Sequence, residues 1–450
     1  MIAPARVAAY DILTAVSAGN ADLATAVAFA RAGLRDERDR ALASEIATGT
    51  LRWRAALDHV VAVFARRAID RLDPEIVEIL RLSAYQLLHL TRVPASAVVD
   101  DAVNLARRAG KSSAAGFVNA VLRTISRKRS ALPLPPRPND ASDRDAALDY
   151  LSVTLSHPRW LVTRWYERLG FEAAERWALF DNTPAPLTLR ANRLLVTVDD
   201  LARQLEAAGV RAHHAAYAPD ALIVDEGSPM PLVEQGLCVV QEEASQLAAT
   251  LAADAAGARV LDTCASPGGK TIAIASAMPP TGLLVACDVR DRRMALLRRT
   301  VETAAAARVR LVQADLLQPL PFSRPFDLVF VDVPCSGLGT IRRDPDIRWR
   351  RHERDLVAFA AAELTMLQRA AEAVAPGGRL IYATCSSEPE ENEGVAQAFL
   401  ATMPAFAPRR VREVSARLPE AVVDARGDLR TTPDRHRLEA FYATVFQRDL

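Results

Sequence analysis

Apolar residues spaced three and four apart dominate the first 130 positions. They predict helices around 5–17, 39–66, 96–109 and 114–127. In "LDPEIVEILRLSAYQLLHL" Asp73 is the expected N-cap and Pro74 the first helical residue, while Ile76, Ile79, Leu80, Tyr85, Leu87 and Leu88 make a broad apolar face. A helical domain over 1–130 follows. It ends at "SALPLPPRPNDASD", where Pro133, Pro135, Pro136 and Pro138 favour an extended linker over 131–144.

Beyond the linker the period changes. "HPRWLVTRWYERLG" reads as helix, then "PLTLRANRLLVT", residues 199–208 and "ALIVDEG" as strand, helix, strand, giving a small α/β subdomain over 145–238. From 239 to 450 strands and helices alternate. Helices are expected at 242–253, from Lys270, at 290–305 and at 354–374. The strands between them are "RVLDTCA", "GLLVACDV", "VRLVQAD", "FDLVFVDVP" and "GRLIYATCS". That alternation predicts a Rossmann-like, doubly wound and mostly parallel sheet, which binds ligands beyond the carboxyl ends of its strands.

Composition narrows the class. Half of the residues are hydrophobic and a quarter charged, as in globular proteins. No window holds eighteen uninterrupted apolar residues, and the first residues lack a basic head and apolar core, so a soluble cytoplasmic protein away from membranes is expected. Cys238, Cys264, Cys287, Cys335 and Cys385 are odd in number and form no CxxC pair, which argues against a disulfide framework and against a bound metal. Residues 1–130 carry 19 Lys and Arg against 13 Asp and Glu in a chain of net charge +1, so the front is basic and the remainder slightly acidic. A basic front suits a polyanion, though solvated arginine-rich helices have the same composition. Only Lys111, Lys128 and Lys270 among the 56 basic residues are lysine.

"LDTCASPGGKT" follows a strand and opens a helix. Gly268 and Gly269 permit close backbone approach, and the helix start offers free N–H groups. Neither G-x-x-x-x-G-K-[ST] nor G-x-G-x-x-G is present, which disfavours ATP and NAD. Asp288, Asp315 and Asp332 stand at successive strand ends. Singly each could cap a turn; together they suit an adenosine cofactor without phosphates, and S-adenosylmethionine is the expected one.

Two cysteines also fall at strand ends, Cys335 in "VDVPCSG" and Cys385 in "YATCSSEPEEN". A lone cysteine is usually a small buried hydrophobe, which serves for Cys238 and Cys287. At a ligand-binding edge a pair has a chemical use. Cytosine C5 is too electron-poor to take a methyl group directly, whereas a thiolate added at C6 makes C5 nucleophilic. A second group then helps remove the C5 proton, and an acid near N3, for which Asp332 is placed, steadies the charged ring.

Together "DTCASPGGKT", "DVPCSGLGTIRRDPDIRW" and "YATCSSEPEEN" resemble the two-cysteine RNA (cytosine-5-)methyltransferases. With "FVNAVLR" in the helical front, the chain is most similar to the Sun/Fmu group of ribosomal RNA small-subunit enzymes, whose front domain is NusB-like and binds RNA. The resemblance implies that Cys264, Ala265, Ser266, Pro267, Gly268, Gly269 and Lys270 form the cofactor loop, with Asp288 on the ribose, Asp315 near the adenine and Asp332 near the methionine end and target base. It also makes Cys385 the nucleophile and Cys335 the residue that helps release product. A monomer acting on one cytosine of 16S ribosomal RNA, free or in an early small-subunit particle, is implied. Lys270 is expected to meet the cofactor carboxylate or a substrate phosphate. Leu438-Glu439-Ala440 replaces the family's usual Asp-Gly before the closing aromatic pair.

Around Trp349, Arg342, Arg343, Arg348, Arg350, Arg351 and Arg354 could grip phosphates and stack a base, or could simply anchor a solvated helix start. A transfer RNA enzyme of the same chemistry and a non-catalytic RNA-binding or assembly factor are the alternatives.

Overall fold

Trp53 breaks what the periodicity reads as one helix. Its backbone, at φ −101° and ψ 15°, separates Glu37–Arg52 from Arg54–Ala65. The computed structural model describes residues 2–450. Two compact units emerge: Met1–Pro184 with Ile341–His352, and Ala185–Thr340 with Glu353–Leu450.

The first unit is helical. It contains α1 (Pro4–Ser17), α2 (Leu23–Gly33), α3 (Glu37–Arg52), α4 (Arg54–Ala65), α5 (Pro74–His89), α6 (Ala95–Arg108) and α7 (Ala115–Arg127). Helix α2 escaped the periodicity because it buries only Leu23 and Ala26 and leaves Phe29 exposed. Asp73 precedes α5 as expected, but its carboxylate makes no cap bond and instead pairs with Lys111 at 3.0 Å. Ile79, Leu80 and Leu82 of α5 are completely buried and centre the core.

The proline-rich stretch is tied down. Leu132 and Leu134 pack on the helical core, the Pro133 carbonyl lies 2.8 Å from His59 Nε2, and Thr154 Oγ1 donates to the Pro135 carbonyl at 2.6 Å. Helices α8 (Arg144–Asp149), α9 (Arg159–Leu169) and α10 (Phe171–Asp181) fall in this unit. The sequence places residues 145–184 in the α/β subdomain; here they fall in the compact unit that contains the front helices, with Trp165 stacked on Trp177 and Arg137 of the proline-rich stretch over Phe171.

The arginine-rich segment Ile341–His352 also belongs to this unit. Arg348 is completely buried and donates to the carbonyls of Ser156 (2.9 Å), Asp181 (3.3 Å) and Arg52 (3.4 Å) and to Asn182 Oδ1 (3.1 Å). Trp349 Nε1 donates to the Leu51 carbonyl at 2.6 Å. These two residues anchor the segment: Arg348 is enclosed, and the half-buried Trp349 ring packs on the helical core with the Arg54 guanidinium 5.6 Å from its centroid.

In the second unit, β1 (Leu187–Ala191), β2 (Arg211–His214), β3 (Ala221–Glu226) and β4 (Cys238–Val240) form an antiparallel sheet of order β2-β3-β1-β4. Helices α11 (Val198–Ala207) and α12 (Met230–Glu234) accompany it. Then α13 (Glu243–Asp254), β5 (Arg259–Asp262), α14 (Gly269–Ala277), β6 (Leu283–Asp288), α15 (Asp291–Thr303), β7 (Val309–Gln313), β8 (Phe326–Asp332), the helix Asp355–Glu372 and β9 (Val374–Thr384) follow as expected. β10 (Phe406–Arg409), β11 (Leu429–Thr431) and β12 (Phe441–Arg448) complete a sheet of order β10-β12-β9-β8-β5-β6-β7, with β11 also on β12. Strands β9-β8-β5-β6-β7 are parallel; the C-terminal strands add antiparallel.

Helices cover both faces of this sheet, as the period-2 alternation of side chains requires. Leu328 and Phe330 of β8 join the cluster containing Leu247 and Ile272, whereas Val329 and Val331 join the one containing Leu367 and Phe399. Among the described residues no helix is long and apolar enough to cross a membrane, and no group of His, Cys, Asp and Glu is disposed to hold a metal.

Candidate active site

Strand order reverses between β5 and β8, so the chain leaves their carboxyl ends in opposite directions and opens a crevice there. From β5 the chain enters Thr263–Gly268 and then α14. Gly268 has φ +109°, and a Cβ there would meet Leu297 and Thr300 at 3.0 Å, so glycine is required. The loop is pinned from below: Thr263 N donates to the Phe330 carbonyl at 3.0 Å and Ala265 N to the Cys287 carbonyl at 2.8 Å.

The three expected acids stand at the same sheet edge. Asp288 ends β6, is almost fully buried, and accepts from Val289 N (2.9 Å) and Ser266 N (3.2 Å), with Arg293 at 3.6 Å. Asp315 lies two residues beyond β7 and accepts from Leu317 N at 2.9 Å, so it closes a turn as well. Both line one cleft of about 170 Å³ with Thr263, Cys264, Leu316 and Met366. Pro267 and Gly269 face a different groove, beside Val240 and Leu296.

Asp332, the last residue of β8, is not in that cleft lining. It accepts from Lys270 Nζ at 2.7 Å, so the ammonium expected on a cofactor carboxylate or phosphate sits on Asp332, with the Phe441 ring 5.3 Å away. The pair joins the carboxyl end of β8 to the start of α14.

Cys335 and Cys385 follow the adjacent strands β8 and β9, and their sulfurs lie 3.3 Å apart. The hydrogen bond with Cys385 and burial push the Cys335 thiol well above its ordinary range, and the Glu391 and Glu363 carboxyls add to the effect. Each cysteine is followed by a serine, and both serines reach one buried carboxylate. Glu391 accepts from Ser336 N and Ser336 Oγ, each at 2.6 Å, and from Ser386 Oγ. Tyr382 Oη donates to the Glu391 carbonyl at 2.5 Å and lies 3.0 Å from Glu363 Oε2. Burial raises the Glu363 carboxyl to about 9, so it carries a proton at neutral pH. Gly339 N donates to the Cys385 carbonyl at 2.9 Å, and its carbonyl accepts from Ala440 N at 3.1 Å. A Cβ on Gly339 would lie 2.1 Å from the Ala440 carbonyl oxygen, so the close approach at this joint is made by Gly339 although Ala440 stands where glycine is usual.

Several residues of this edge escaped the sequence reading. Asp262, at the end of β5, is buried, accepts from Thr271 Oγ1 at 2.6 Å and is raised to about 7 by burial. It belongs to the same series of strand-end acids, and that position was its signal. Arg190 on β1 donates to Gln241 Oε1 and to the Gly269 carbonyl, each at 2.5 Å, tying the small sheet to the loop. Glu363 had no signal, since an acid inside a helix ordinarily faces solvent. Cys238 and Cys287 are buried, and burial pushes both thiols up to about 12, as inert core cysteines should be.

A parallel sheet with this strand order, a glycine turn at the switch point and acids along its carboxyl edge define a Rossmann-like methyltransferase. Residues 248–447 match the 16S rRNA methyltransferase RsmB/F family, 3–127 the NusB family, and 157–231 the ferredoxin-like domain of RsmF/B-like methyltransferases. The ribosomal RNA small subunit methyltransferase B of Pseudomonas putida is 33% identical over 89% of this chain and 89% of its own, and that of Xylella fastidiosa is 35% identical over the same shares. The crystal structure of PH0851 has the same fold, with a TM-score of 0.80 and 24% identity, covering 100% of this chain and 99% of that one. The chain belongs to the ribosomal RNA small subunit methyltransferase B family.

Proposed function

We propose that this protein methylates C5 of a cytosine in 16S ribosomal RNA with S-adenosylmethionine as donor, through a covalent bond between Cys385 and C6. The observation that carries the reading is the pair of thiols 3.3 Å apart at the tips of β8 and β9, beside the switch-point crevice. One methylating site has little use for two adjacent thiols unless one attacks the ring and the other helps to release it.

The cleft fits the proposed donor. Asp288 and Asp315 present carboxylates to hydroxyl and amino groups, and Cys264 and Leu316 offer an apolar wall. Asp288 would hold the ribose and Asp315 the adenine, with Cys264 bringing the loop to the same cleft. When bound, S-adenosylmethionine supplies an electrophilic methyl group on a sulfonium.

The protein's own residues do the rest. The Cys385 thiolate would add to C6 and make C5 nucleophilic toward the donor's methyl group, whose bond to sulfur would break, leaving its electron pair on sulfur, as the C5–carbon bond forms. Asp332, which accepts from Lys270 Nζ, is the acid that supports N3 as negative charge builds on the ring. With Cys335 beside the ring to assist, solvent water takes the C5 proton, and the electron pair left behind forms the C5–C6 double bond as the C6–S bond breaks and restores the Cys385 thiolate. The base must leave its stack, at a cost of about a few kcal/mol.

The relatives' names, which specify small-subunit ribosomal RNA, support that substrate over transfer RNA. The test is methyl transfer from isotopically labelled S-adenosylmethionine to 16S and transfer RNA transcripts, followed by nucleoside mass spectrometry. Labelled 5-methylcytidine in 16S RNA is expected. Label at another atom, or in transfer RNA alone, refutes the assignment.

A further inference from the structure

Neither cysteine is held by its own side-chain partners alone. Both turns end on the carboxylate of Glu391, which takes one hydrogen bond from the Ser336 backbone, one from its hydroxyl and one from the Ser386 hydroxyl. Three donors thus converge on the two oxygens of one side chain. The neighbouring acid, Glu363, is the one that holds a proton, being raised to about 9 by burial and then by Glu391.

The elements around Cys335 present few charges. Cys385 faces it from the end of β9, Glu391 from the turn Glu390–Gly394, Glu363 from the helix Asp355–Glu372, and Tyr382 from within β9. The cation of this edge, Lys270, is committed to Asp332. Cys385, Glu391, Glu363 and Tyr382 are all acids. Thiolate formation there is opposed by charge as well as by burial.

We infer that Glu391 is a positioning residue: one carboxylate joins the two cysteine turns and sets a fixed negative charge beside Cys335, so that the attacking thiolate forms on Cys385. The inference rests on the proposed roles of the two cysteines, but its first consequence can be read without RNA or cofactor. Shape and charge are separable. The hydrogen bonds set the distance between the sulfurs, and the charge sets which sulfur keeps its proton.

The experiment measures the pH dependence of iodoacetamide alkylation at Cys335, by mass spectrometry of its peptide, in a Cys385→Ser background that leaves only one reactive member of the pair. Glu391→Gln is expected to lower the midpoint by about one pH unit, equivalent to about tenfold faster alkylation at a fixed pH below it. Glu391→Asp keeps the charge and is expected to leave the midpoint in place, while with Cys385 restored it slows methyl transfer because the shorter arm cannot reach both serines. An unmoved midpoint in Glu391→Gln overturns the inference. Should that variant fail to fold, Ser336→Ala and Ser386→Ala carry the test. Each removes one arm but leaves the charge, so slower transfer with an unchanged midpoint is expected, and full transfer by both refutes the clamp. Failure of the 5-methylcytosine assignment would leave the alkylation midpoint readable.

Discussion

The sulfur of Cys335 lies 3.3 Å from the sulfur of Cys385, although 49 residues separate them in the chain. Parallel pairing of β8 and β9, with Asp332 opposite Ala383, makes them neighbours. At this distance both can touch one pyrimidine ring, but two negative sulfurs would repel. The roles must divide.

That division gives the first prediction. Cys385→Ala should abolish methyl transfer, and Cys335→Ala should accumulate protein covalently joined to RNA, seen as a slower band on a denaturing gel after incubation with S-adenosylmethionine and 16S RNA. An adduct confined to Cys385→Ala would exchange the two roles.

Asp288 gives the second. Its carboxylate is nearly buried, opens on the cleft and is oriented by two backbone N–H groups. Asp288→Ala should weaken S-adenosylmethionine binding at least tenfold, about 1.4 kcal/mol, in a calorimetric titration. Unchanged affinity would remove Asp288 from the cofactor site.

The sequence carried the parallel sheet, because each of its five core strands is an apolar run ending in a polar tip. The loop glycines and both cysteines lay at such tips and were legible there. The C-terminal strands were less so, since β10 and β11 are three or four residues long. What spacing could not carry was the traffic between side chains. Lys270 was placed at the right edge, but its hydrogen bond to Asp332, 62 residues away in the chain, is made in three dimensions and had no signal in spacing. Arg348 shows the same limit. Six arginines around a tryptophan look alike in sequence, and only burial separates the anchor from those at the surface.

Arg348 supplies the third prediction. It is completely buried, and burial lowers its guanidinium to about 9 despite the attraction of Asp181. Arg348→Ala leaves four acceptors without this donor and should cost about 3 kcal/mol or more, measured by denaturant unfolding. Its effect on RNA affinity at constant folded fraction, and on the salt dependence of that affinity, should be small. A reduced salt slope in a variant of normal stability would return Arg348 to the RNA surface.

Glu363 makes stability depend on pH in a direction that can be worked out. Its carboxyl is raised from 4.5 to about 9, first by burial and then by Glu391. Between those values the folded protein keeps a proton that the unfolded chain has released, so stability falls as pH rises and levels off once the folded group ionises. Asp262 and Asp181, each raised by burial to about 7, act in the same direction but are exhausted by that pH. Glu363 is therefore the carboxyl that acts between about 7 and 9. Glu363→Gln still offers an acceptor to Tyr382 Oη but has no proton to lose. Its thermal midpoint should stay nearly level from pH 7 to 9, while that of the wild type declines. Parallel curves for the two proteins would show that Glu363 is already ionised at neutral pH, and a second negative charge would then stand beside Glu391 and the thiols.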